Sequence, residues 1–140
     1  MICDVFCKFL TDLALKKKNN ITMTKSYDLA VRMIKLYQHL TGKKKEFILS
    51  KQLIRSGTSV AANIREAYDA QSDKDFVHKL AISQKECSEA GLWLELLKDT
   101  DYLSEKEFES IYADTEEVYK IITSIILTKK QNMKKEQIDV

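Results

Sequence analysis

Three groups of side chains in this chain could do chemistry. Asp75-x-x-His78 and Glu86-x-x-Glu89 have the spacing that puts two ligands or two carboxylates on one helix face. A di-iron bundle needs inward Glu-x-x-His on two helices and two further Glu. No Glu-x-x-His occurs here, and the only histidines are His39 and His78. Glu66, Glu86 and Glu89 could serve as paired carboxylates for acid–base work. Cys87 falls on an apolar row and reads as a small core residue, and Cys3 and Cys7 have no histidine close in sequence. No glycine-rich phosphate loop is present. The residues therefore imply no cofactor, no metal, no small-molecule substrate and no enzyme; a carboxylate-based metal enzyme is the weakest of the readings kept open.

The elements that position these residues are helices. The chain has 140 residues, no proline and three glycines, and 44% of it is hydrophobic, which suits one domain of long helices. The first bundle segment is expected to start near Thr24 or Ser26 and to stop at Gly42. The second covers about 46–70, with Leu49, Leu53, Gly57, Val60, Ile64 and Ala67 inward. In the third, Phe76, Leu80, Ser83, Cys87, Ala90, Leu94 and Leu97 alternate spacings of four and three, the heptad pattern of helices crossing at small angles. Ser72 caps it. The fourth opens on a Ser104/Glu107 capping box, and Phe108, Ile111, Thr115, Val118, Ile122 and Ile125 point inward. Short connections force antiparallel neighbours. The expected fold is all-α, an antiparallel up-down-up-down four-helix bundle over 23–130. Residues 1–22 form an N-terminal extension, either a short amphipathic helix on Ile2, Phe6, Leu10 and Leu13 or a segment upstream of a start at Met23. Residues 131–140 form a polar tail that frays.

The extension is no signal peptide, because Lys16, Lys17 and Lys18 follow its apolar run, and it is too short and too charged to span a membrane. With three cysteines the thiols are expected reduced, and the location cytoplasmic.

The stretch RSGTSVAANIREAYDAQS sets Arg55 and Asn63 among small residues. Counting outward from the turn at Ser72 brings Arg55 level with Glu89, and Glu86 lies one turn away. A partly buried Arg needs such carboxylates. Arg55, Asn63, Glu66, Glu86 and Glu89 are therefore expected to form a structural polar network that fixes helix register. The small side chains admit a bulky neighbour, Trp93 or a tyrosine, and His78 could hydrogen-bond to Glu66.

Residues Ser26 to Lys129 resemble the four-helix bundle proteins encoded in intervening sequences of 23S ribosomal RNA genes. The likeness rests on AANIREA at 61–67, SDKDF at 72–76, the Glu86/Glu89 pair and TDYLSEKEF at 100–108. Ala67 stands where that family commonly has glycine. The resemblance implies a bacterial bundle that assembles as a homopentamer and has no established enzymatic activity. The accessory protein of diversity-generating retroelements, a basic protein that works with a reverse transcriptase and nucleic acid, is a more distant likeness.

Charge bears on the partner. The net charge is +2, but residues 23–56 hold eight Lys or Arg against two acids, and residues 57–110 hold six against twelve. Arg32, Lys35, Lys43, Lys44, Lys45 and Lys51 are the nucleic-acid-binding candidates, since lysines on phosphates release counterions. Phe47 and Tyr37 read as core rather than as stacking residues. Opposite charge on different helices also suits a side-by-side oligomer, which would use up the basic face. Two readings follow: an oligomeric scaffold or RNA-associated accessory protein, and a protein–protein adaptor that itself binds no nucleic acid, such as an adaptor for a larger nucleic-acid enzyme.

Overall fold

The structure, a computed structural model, describes residues 2–18 and 20–139, with side chains described for 3–11 and 20–139. Five helices account for nearly all of it: α1 (Ile2–Lys18), α2 (Ile21–Gly42), α3 (Leu49–Tyr68), α4 (Asp73–Asp99) and α5 (Glu105–Ile138). Among the described residues there is no strand. The fold is all-α, with five helices where the sequence reading expected four and a possible short extension.

Helix α3 packs on α2 and α4, and α5 closes the circuit by packing on both α4 and α2. Cross-helix pairs fix the directions. Arg55 meets Glu89, the Ser83 hydroxyl donates to the Val60 carbonyl at 2.8 Å, and Lys79 meets Glu66 at 3.0 Å, so α3 and α4 run antiparallel. Tyr112 donates to Glu95 at 3.0 Å, and Gln84 donates to Thr123 at 2.7 Å, giving the same sense for α4 and α5. Helix α1 touches only α2. Its Val5, Phe6, Phe9 and Leu10 are all exposed. Ile2 and Leu13 of the expected apolar stripe lie outside the described side chains.

The heptad row of α4 is the centre of the core. Leu80, Ser83, Cys87, Ala90, Leu94 and Leu97 are buried, with Phe76 half-buried at the end. From α3 the inward row is Leu53, Gly57, Val60, Ile64 and Ala67, and from α5 it is Phe108, Ile111, Thr115, Val118, Ile122 and Ile126. Ile126 replaces the expected Ile125 as the buried residue there, while Ile125 packs at the edge. Every buried side-chain nitrogen or oxygen among the described residues has a hydrogen-bond partner.

Three helix ends differ from expectation. Helix α2 starts at Ile21, because Asn20 accepts from the amides of Thr22 and Met23 at 3.0 and 3.2 Å; Ser26 is buried inside it instead of capping it. Helix α3 starts at Leu49 rather than Glu46, because Glu46 is spent as its cap. Helix α5 runs on to Ile138 rather than fraying after Thr128. Its KKQNMKKEQ run has no Gly or Pro and consists mostly of good helix formers, and Lys129 is pinned to Asp73 at 2.7 Å. Ser72 and Ser104 cap α4 and α5 as their sequence positions require.

Small residues serve a close approach between α2 and α3. A Cβ built on Gly57 would lie 2.5 Å from Met33 Cγ and 3.0 Å from its Cβ. The bulky neighbour is thus Met33, not Trp93 or a tyrosine. At Gly91 a Cβ would meet Tyr112 only at 3.5 Å, an ordinary contact. The two glycines should therefore respond oppositely to alanine. Gly57→Ala should lower stability by ~1 kcal/mol, the strain of overpacking outweighing the gain in helix propensity. Gly91→Ala should raise it by about 0.5–1 kcal/mol. Urea unfolding midpoints check both.

Candidate nucleic-acid interface

The loop joining α2 to α3 carries Lys43, Lys44 and Lys45, with Lys51 in the first turn of α3, and one acid shapes it. Glu46 is 6% exposed. Its Oε1 accepts from the amides of Ile48 and Leu49 at 2.9 and 2.8 Å, and its Oε2 from the amide of Ser50 at 2.7 Å. The Ser50 hydroxyl returns to the Glu46 carbonyl at 2.9 Å, and the Glu46 amide donates to the Leu40 carbonyl at 2.9 Å. A buried carboxylate would normally be costly. Burial does push its pKa up, but the three amides and the Ser50 hydroxyl outweigh that and hold the carboxyl below its ordinary value. The same bonds fill the amide sites at the start of α3, where an external anion would otherwise bind.

With Glu46 turned inward, its neighbours turn out. Lys43, Lys44, Lys45, Phe47, Ile48 and Lys51 are all exposed. Lys45 takes a left-handed φ of 55°, which carries the chain from the end of α2 into this cap. Phe47 is 58% and Ile48 77% exposed. Phe47 is therefore not core, contrary to the expectation from its apolar character; Tyr37 is half-buried.

The candidate cations divide by what they touch. Arg32 is tied to α5: it pairs with Asp114 at 2.5 Å and donates to the Ser110 carbonyl and hydroxyl at 3.1 and 2.9 Å. Lys35, Lys43, Lys44, Lys45 and Lys51 make no ion pair among the described residues. Lys35 borders a groove of about 520 Å³ between α2 and α5, floored by Leu36, Leu103 and Ile111 and edged by Arg32, His39 and Lys106.

The five-membered polar network separates into three parts. Arg55 reaches Glu89 and, at 3.4 Å, Glu86, and Glu89 also accepts from the Trp93 indole at 3.2 Å. The Glu89 hydrogen bond is the main cause of a raised Arg55 pKa. Arg55 is nevertheless 48% exposed, while Glu86 and Glu89 are half-buried, so the guanidinium reaches its partners from the surface. Asn63 bonds only within α3, donating to the Ser59 carbonyl at 2.8 Å. Glu66 sits three turns beyond Arg55 and pairs with Lys79; His78 is exposed and is not its partner.

A model of the 23S rRNA-intervening sequence protein family matches residues 18–124. The chain belongs to this family. A crystal structure of a protein with unknown function, from the S23 ribosomal protein family of Bacteroides thetaiotaomicron, is 49% identical over 76% of this chain and 98% of that one, with a TM-score of 0.75. A search of curated proteins gives no match. For this intervening-sequence protein, the match leaves out most of α1 and the end of α5.

No group of three or more His, Cys, Asp or Glu converges among the described residues. No described helix is long and apolar enough to cross a membrane. Burial pushes the Cys87 thiol up to about 12, and its Sγ lies 3.2 Å from the Thr115 carbonyl. Cys3 and Cys7 are exposed. A thiol reagent at pH 8 should thus label Cys3 and Cys7 in the folded protein and reach Cys87 only in denaturant; mass spectrometry of the adducts reads this.

The Glu46 cap makes a pH prediction. A lowered folded pKa adds stability that is fully present above the unfolded value of about 4.3 and is lost as pH falls through the folded value. Glu46→Gln should cost about 1–2 kcal/mol at neutral pH, the range for losing a helix cap. The gap between wild type and variant should narrow below about pH 4, read as thermal midpoints across pH.

Proposed function

We propose that this chain is a non-catalytic, RNA-associated scaffold or accessory protein. In this reading α2–α5 act as an antiparallel four-helix bundle, α1 is an appendage, and the location is cytoplasmic. The bundle assembles as a homo-oligomer, the pentamer being the order that the resemblance implies. It takes no cofactor and no small-molecule substrate.

The observation that carries the reading is the state of the loop lysines. Lys43, Lys44, Lys45 and Lys51 share one end of the molecule, are exposed, and have no acidic partner among the described residues. Lys25, Arg32, Arg55, Lys79 and Lys129, further from that end, are each matched with an acid on another helix. Several copies would gather several such ends and raise avidity.

The adaptor reading has one observation of its own. Leu92 and Leu96 are exposed on α4 beside Glu89 and Glu95, an apolar strip with an acidic border that suits a protein contact.

Fluorescence anisotropy with a structured RNA decides between the two. If four lysines contact phosphates, affinity should fall roughly fifty- to a hundred-and-fifty-fold between ~50 and ~200 mM salt. Changing Lys43, Lys44, Lys45 and Lys51 to Gln should remove most of the binding. No binding at ~50 mM salt would sink the RNA reading and leave the adaptor.

A further inference from the structure

We propose that Phe47 is a stacking platform for an unpaired base, so that the α2–α3 loop recognises single-stranded nucleotides rather than duplex. This rests on the RNA reading above and names the class of nucleic acid. Sequence-tolerant single-strand binding combines a basic track for the backbone with an aromatic face for a base. The loop brings both together. Phe47 stands 58% exposed between Lys45 and Lys51, with Lys43 and Lys44 just before.

The backbone that carries the ring is held before any ligand arrives. Glu46, the residue preceding it, is fixed by three amides at the start of α3, and its own amide is fixed by the Leu40 carbonyl. On the other side the Ile48 amide donates to Glu46 Oε1 at 2.9 Å. Little backbone freedom is left to lose on binding, which is the usual cost of using a loop as a recognition element.

A base is favoured over the other occupants. Two exposed side chains, Phe47 and Ile48, are a small apolar area for holding a lipid surface, where affinity scales with buried area. One ring face is enough for a base. Duplex would present its stacked bases edge-on to the loop and could engage only the lysines.

The test uses the full chain and a ~12-nucleotide labelled oligoribonucleotide, single-stranded or annealed to its complement, in anisotropy titrations. Wild type should bind the single strand more tightly. Phe47→Ala should weaken single-strand binding roughly five- to a hundred-and-fifty-fold, the range for one stacked base, and leave duplex binding unchanged. Phe47→Trp should restore it, whereas Phe47→Leu, with bulk but no ring face, should not. The side chain is exposed, so these variants should keep the wild-type circular dichroism and melting point. Single-strand affinity unchanged in Phe47→Ala while the four-lysine variant loses binding would overturn this inference and spare the RNA reading. No affinity of the wild type for either RNA at ~50 mM salt would overturn both. Co-sedimentation with vesicles of phosphatidylserine and phosphatidylcholine is the control for the lipid alternative. Vesicle binding lost in Phe47→Ala, with RNA binding intact, would reassign the ring to a membrane surface.

Discussion

The buried Glu46 carboxylate, held by three amides at the start of α3, is the interaction on which the shape of the α2–α3 loop depends. A charge so placed is tolerable only when its oxygens are filled with donors, and the first turn of a helix offers donors that have no partner of their own. The match solves two problems at once. It ends the search of those amides for a partner, and it sets the direction in which α3 leaves the loop. The alternation that follows is a consequence of chain geometry. With residue 46 turned in, Phe47 and Ile48 are carried out, and the chain then turns back so that Ser50 and Leu53 are buried.

Elsewhere the fold is kept in register by pairs that cost little. Ion pairs along the sides join α2 to α5 through Lys25–Glu117 and Arg32–Asp114, and α3 to α4 through Arg55–Glu89 and Lys79–Glu66. Exposed pairs of this kind contribute little stability, but they disfavour slipped arrangements that would set like charges together. The stability comes from the apolar rows, where Met33 seated against Gly57 and the α4 heptad fill the interior. Lys25, Arg32, Arg55, Lys79 and Lys129 are matched across helices, whereas Lys43, Lys44, Lys45 and Lys51 make no ion pair among the described residues.

Most of the core was legible in the sequence, because heptad spacing from Phe76 to Leu97, about six turns, marks one face of α4 for burial. The caps at Ser72 and Ser104, and the register that puts Arg55 opposite Glu89, follow from local chemistry and counting. What was not legible has physical reasons. Glu46 reads as a good residue for a helix start, and nothing in its type says that its side chain folds back onto the amides ahead of it. Phe47 reads as core because aromatic residues usually are; its exposure depends on where Glu46 points. Asn20 competes with Thr24 and Ser26 as a cap, and residue type does not rank these three; in the structure Asn20 takes the amides of Thr22 and Met23 and Ser26 is buried within α2. Asn63 and Glu66 look like partners of Arg55 by composition, but helical rise separates them. The family resemblance pointed to a bundle, and the family match over residues 18–124 agrees with it; neither says which surface meets a partner.

The central claim is that the Glu46-held loop is where this intervening-sequence protein meets nucleic acid. The most direct measurement is to follow backbone amide signals by two-dimensional NMR while a single-stranded oligoribonucleotide is added. The account predicts that shifts concentrate between residues 43 and 51, with the aromatic signals of Phe47 moving upfield as a base stacks on the ring. Shifts confined to the lysines at 129–135, or spread evenly over the surface, would contradict it.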